Sequence, residues 1–152
     1  MNSDLRELYQ ELILDHSRKP RNFGPIEGAC LQAEGFNPFC GDRVRIYVKR
    51  TGDRISDLRF DGVGCAISTA SASLLTDTLK GSTVEEMKRY FEQFHALVTG
   101  EESPPDPVDL GKLEAFSGVS EFPIRVKCAT LCWHTLKQAL SGEEDLLVST
   151  ER

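Results

Sequence analysis

Two runs of alternating polarity, joined by a short turn, place the tightest constraint on this chain. Val44, Ile46 and Val48 face one way while Arg45, Tyr47 and Lys49 face the other, the period of a half-buried strand. "TGDR" (51–54) supplies turn chemistry, and "ISDLRFDG" (55–62) resumes the alternation with Leu58 and Phe60. Strands this close in sequence pair antiparallel, because a parallel pair needs a long crossover. A further strand around 29–36 completes a three-stranded antiparallel meander. One face of such a sheet is apolar and has to be covered.

The remaining segments supply the cover. Leu5, Leu8, Tyr9, Leu12 and Ile13 recur at helical spacing over 3–16, with Ser3 as N-cap and Pro20 as the stop. "GVGCAISTASASLLTDTLKG" (62–81) reads as a loop leading into a helix that ends at Gly81. Ser82 and Glu85 give a capping box, and Met87, Tyr90, Phe91, Phe94 and Val98 form the stripe of the next helix. After the Pro-rich acidic loop "TGEESPPDPVD", a short helical piece near 109–116 is closed by Gly118. The last helix starts after Pro123, buries Ala129, Cys132, Trp133, Leu136 and Leu140, and ends at Gly142. The expectation is one α+β domain over 1–142, a three-stranded antiparallel sheet with helices packed on one face, then an acidic flexible tail over 143–152.

Length and charge exclude several classes of function. A chain of 152 residues suits one hydrophobic core. Its apolar stretches are only a few residues long, too short for a membrane span, and the charged start "MNSDLREL" is no signal peptide. A net charge of -6 speaks against nucleic acid, whose phosphates demand a basic face. The basic run "RKPRNFG", with Arg18, Lys19 and Arg21, suits a solvated helix end or a protein docking patch. A cytoplasmic protein is expected.

Five cysteines, Cys30, Cys40, Cys65, Cys128 and Cys132, are an odd number without a secretory signal, which fits a reducing compartment. Three of them sit at element boundaries. Cys40 lies in a turn at the start of a strand, Cys65 in a Gly-flanked loop before a helix, and Cys128 in the first turn of the last helix. A hairpin brings the start of its first strand and the end of its second to one end, so Cys40 and Cys65 approach each other. Together with Asp42 and Cys128 they make a donor set of three thiolates and a carboxylate, which suits tetrahedral zinc. The competing reading is three core cysteines, since free Cys is among the most buried residue types. With no CxxC pair, spacing alone leaves both open.

Longer motifs go further. "LYQELILDHSRKPRNFG", "NPFCGDRV", "GVGCAISTASASLLTD" and "IRVKCATLCWHTL" together resemble the U-type iron–sulfur cluster assembly proteins, the IscU/SufU family, in order from Leu5 to Leu140. The resemblance implies a SufE/IscU-like α+β fold and a metal site at Cys40, Asp42, Cys65 and Cys128. Lys127 stands where the scaffold branch carries a ligand His, and "FPIRVK" stands where it carries a chaperone-recognised Leu-Pro-Pro-Val-Lys segment. The insertion between about 99 and 122 is similar to that of the SufU branch. The implied function is a zinc-dependent acceptor of persulfide sulfur from a pyridoxal-phosphate (PLP) cysteine desulfurase of the SufS kind, a sulfur carrier delivering to a downstream cluster-assembly scaffold. Cys40 is the expected acceptor, freed when a partner histidine takes its place on zinc, and Arg125 pairs with the desulfurase or stabilises the site. The alternative is a scaffold on which a [2Fe–2S] cluster is built, with iron in place of zinc; a structural zinc adaptor is a third reading.

Other reactive residues read as ordinary. Cys132 lies on the apolar stripe with Trp133 and Leu136, so a core residue is expected. Cys30 has no supporting ligand pattern. His16, His95 and His134 come with no nucleophile elbow or oxyanion loop, and "GVGCA" lacks the longer phosphate-binding pattern.

Overall fold

A computed structural model describes residues 3–141 and 147–149. The meander is present as β1 (Leu31–Asn37), β2 (Asp42–Thr51) and β3 (Arg54–Val63). Its antiparallel register sets Asn37 opposite Asp42 and Val44 opposite Gly62. Ala33, Val44, Ile46, Val48, Ile55, Leu58 and Phe60 are buried on one face, as the alternation requires. The other face is polar: Glu34 pairs with Arg43 at 2.8 Å and Arg45 at 2.6 Å, and Tyr47 donates to Asp61 at 2.9 Å. A face so charged cannot hold helices, so all of them gather on the apolar side.

The helices are α1 (Ser3–Arg18), α2 (Ala66–Leu79), α3 (Val84–Thr99), a 3-10 segment (Gly111–Glu121) and α4 (Pro123–Leu140). α4 crosses β1 and β2, and α2 packs between α1 and α4. The close crossing depends on Gly35, where a Cβ would lie 2.1 Å from Thr135 Oγ1 and 3.0 Å from Leu131 Cδ1. The far end of α1 is pinned by buried His16, whose Nδ1 lies 2.7 Å from Ser73 Oγ. No helix among the described residues is long and apolar enough to cross a membrane.

Several details differ from the sequence reading. A fourth strand, β4 (Leu147–Ser149), runs parallel to β1 at the sheet edge. It falls inside the stretch expected to be a flexible tail, most of which lies outside the described residues, as does Gly142. The capping box is Thr83 with Glu86, one residue on from Ser82 and Glu85. The helical piece expected to close at Gly118 runs through it to Glu121. α4 begins at Pro123 itself, so Cys128 lies beyond the first turn. On α1, Leu8 is 64% exposed although the stripe predicted its burial; the period identifies an apolar face, not its partner.

Candidate metal centre

Sheet register builds one wall of the site. Because β1 ends at Asn37 and β2 begins at Asp42, residues 38–41 form a tight connection that carries Cys40, with Gly41 at φ +70°. Val63 pairs with Arg43 at the same end, so the chain leaving β3 passes Asp42. There the Cys65 N–H donates to Asp42 Oδ1 at 2.9 Å. Gly64 makes this approach possible: a Cβ on it would lie 2.9 Å from that oxygen and 3.1 Å from Ser68 Oγ. Cys65 then caps α2, its sulfur accepting from Ser68 N–H at 3.5 Å.

α4 closes the site with Cys128. Its sulfur lies 3.2 Å from Cys40 Sγ and accepts from the Asn37 amide at 3.5 Å. The same amide donates to Asp42 Oδ2 at 3.2 Å, while Asn37 Oδ1 takes the Phe39 N–H. Asn37, Asp42 and Cys128 have no exposed surface, and Cys40 and Cys65 are half-buried. One ligand atom each from Cys40, Asp42 and Cys128 lie within 4.8 Å of one another. Around zinc, bond lengths of about 2.0–2.3 Å put tetrahedral donors about 3.3–3.8 Å apart, so small side-chain shifts bring these three to ligand distance. The Cys65 thiol stands outside that group of three and meets it through Cys128, while its backbone N–H holds Asp42.

Charge in the site is uneven. Hydrogen bonding from Cys128 holds the Cys65 thiol down at about 6, with help from the Ser68 N–H and against burial. Cys128 is pushed up by its bond to Cys65, by burial, and by Cys40 and Asp42. It keeps its proton because electron-rich neighbours surround it. A buried carboxylate and three sulfurs arranged in this way form a site short of positive charge, which a divalent cation supplies. Arg125 lies at the rim, its guanidinium held protonated chiefly by the charge of Cys65 and then by Cys128.

Residues 8–141 match the NifU-like N-terminal domain. This chain belongs to that family. The zinc-dependent sulfurtransferase SufU of Bacillus subtilis is 42% identical over 143 residues, which cover 94% of this chain and 96% of that protein. The iron–sulfur cluster assembly scaffold protein IscU of Streptococcus pyogenes is 41% identical over 139 residues, 91% of this chain and 86% of that one. A crystal structure assigned to the SUF-system assembly scaffold of Fervidobacterium islandicum superposes with a TM-score of 0.80 at 36% identity, over 91% of this chain and 99% of that one. The α+β fold and the IscU/SufU kinship expected from the motifs are both correct.

The structure thus gathers Cys40, Asp42 and Cys128 into one group, brings Cys65 against its side and leaves Arg125 at its rim. Cys132 is buried against Ser71, 3.4 Å away, with its thiol pushed up to about 12 by burial. His95 and His134 face each other on α3 and α4, ring centroids 6.3 Å apart and beside Phe91. Asn37 was missed in the sequence. Its signal was an Asn–Pro step just before a candidate ligand, which reads as turn chemistry and nothing more. Lys127, marked in the sequence by the His it replaces, places its Nζ 4.4 Å from the centre of the Phe39 ring, a contact the sequence did not signal.

Proposed function

We propose that this protein is a zinc-dependent acceptor of persulfide sulfur for iron–sulfur cluster assembly, working in the cytoplasm with a PLP-dependent cysteine desulfurase. The observation that carries the reading is the convergence of Cys40, Asp42 and Cys128, with Cys65 joined to Cys128, at one end of the sheet. These four residues would hold the ion. Zinc bound there keeps thiols deprotonated near neutral pH.

Each residue then has a task. Asp42 is the anchored member, fixed by the Cys65 N–H and the Asn37 amide. Cys128 ties the others together from inside α4. Cys40 is the mobile one, half-buried in a short connection beside a positive-φ glycine. Its thiolate attacks the terminal sulfur of the desulfurase persulfide. The new S–S bond forms on Cys40, the old S–S bond breaks, and the desulfurase cysteine departs as a thiolate. Arg125 offsets the negative charge beside Cys65 and Cys128. Around the opening, Phe39, Val63, Phe122 and Ile124 are 58–72% exposed, an apolar rim of the kind that marks a protein interface. The accepted sulfur passes to a downstream cluster-assembly scaffold.

A cluster scaffold is the second reading, since thiolates also ligate [2Fe–2S] centres. Against it stands Lys127, which occupies the position next to Cys128 and sets its ammonium over Phe39 rather than offering a donor. The test measures desulfurase turnover and zinc content with native protein and with Cys40→Ser. The expected result is loss of stimulation by a variant that still folds. Full stimulation by Cys40→Ser removes Cys40 as acceptor, and iron with charge-transfer absorption in the isolated protein favours the scaffold.

A further inference from the structure

The connection bearing Cys40, together with Asn37 at its start, is tied to α4 by three contacts. Two belong to the donor cluster: the Cys40–Cys128 sulfurs at 3.2 Å, and the Asn37 amide on Cys128 at 3.5 Å. The third does not. Lys127 Nζ over the Phe39 ring at 4.4 Å joins the residue just before Cys128 to the residue just before Cys40. Phe39 is 60% exposed, so core packing does not fix its ring. The backbone at Phe39 is fixed by Asn37 Oδ1 at 3.2 Å, and the ammonium on the ring face then holds the side chain.

We propose that Lys127 and Phe39 form a latch over the Cys40 connection, and that Lys127 is a positioning residue setting how often the Cys40 thiol swings away from Cys128. The use of that motion rests on the sulfur-acceptor reading; the motion itself does not. When the two sulfurs part, the cation–π contact still holds the connection to α4 until it breaks as well. An exposed pair of this kind biases the closed state by about two- to five-fold. That is enough to tune an exposure equilibrium and too little to lock it.

The experiment is the rate of Cys40 alkylation by iodoacetamide, located by peptide mass mapping, on the full chain both as isolated and after chelator treatment. Phe39→Leu is expected to speed alkylation about two- to five-fold, Lys127→Met by less because it also removes a charge, and the double variant no more than Phe39→Leu alone. Lys127→Arg keeps a cation over the ring and is expected to retain the native rate. Phe39→Leu separates the latch from a plain charge effect, because removing the ammonium alone would disfavour nearby thiolates and slow the reaction. An unchanged or slower rate in Phe39→Leu, or fully multiplicative effects in the double variant, overturns the latch. If the native protein takes no sulfur from a desulfurase, the functional reading falls while the alkylation ratios still decide this one.

Discussion

Cys128 and Cys132 lie one helical turn apart on α4, with 0% and 1% of their surface exposed. Burial does not distinguish them, yet their chemistry diverges. Cys128 meets Cys40, Asn37, Cys65 and Asp42, groups that arrive from the end of β1, the connection after it, the start of β2 and the N-cap of α2. Cys132 meets the Ser71 hydroxyl, the Ala129 carbonyl and neighbouring backbone within the helical layer. The first is one donor among several and shares their protons; the second is a small core residue whose thiol stays neutral. What makes a cysteine functional here is the company brought to it by strand register.

The largest expected contrast is in metal content. Cys128→Ala removes the residue that links Cys40, Asp42 and Cys65, so elemental analysis should find zinc essentially lost. Cys132→Ala should retain full stoichiometry. Equal retention in both would erase the difference between the two turns.

Next comes reactivity in protein stripped of metal. A thiol held down at about 6 is largely thiolate at neutral pH, whereas one pushed up to about 12 is almost wholly protonated. Iodoacetamide at pH 7 should therefore label Cys65 readily, with a rate that rises through about pH 6, and leave Cys132 untouched until the protein unfolds. Cys128→Ala removes the hydrogen bond chiefly responsible for the low value, so the midpoint for Cys65 should move up and labelling at pH 7 should slow. A midpoint unmoved by that substitution would show that Cys128 does not set it.

Two glycines sharpen the comparison by stability. Gly35→Ala would drive a methyl into Thr135 and Leu131, in the same layer as Cys132, and should cost about 1–3 kcal/mol by denaturant titration with zinc retained. Gly64→Ala presses on Asp42 and Ser68 instead and should weaken zinc binding in a chelator competition more than it lowers stability. The smallest effect belongs to Cys132→Ala itself, about 1 kcal/mol from a one-atom cavity, read as a modest drop in Tm.

The sheet was legible in the sequence because its two faces differ so sharply: Val44, Ile46 and Val48 against Arg45, Tyr47 and Lys49 allow one register only. Cys40, Asp42, Cys65 and Cys128 were legible as candidates, and hairpin geometry explains why Cys65 comes near Cys40 and Asp42. Asn37 was not, since a lone Asn before Pro carries a turn signal whether or not its amide is buried. The capping box slipped by one because both Ser82 and Thr83 have Glu three residues on. The bond from Val84 N–H to Asp53 O, together with the extended backbone of Thr83, decides it. Nor could the exposure of Leu8 be read, because periodicity does not say whether the partner of an apolar stripe lies within the same chain.

The most direct test is to locate sulfur after turnover. The zinc-loaded protein would be incubated with a cysteine desulfurase and cysteine, then digested without reductant and mapped by mass. The expected result is one added sulfur atom on the peptide containing Cys40 and none on the peptide containing Cys132. Sulfur on another cysteine, or on none, would contradict the assignment of Cys40 as the mobile member of the cluster.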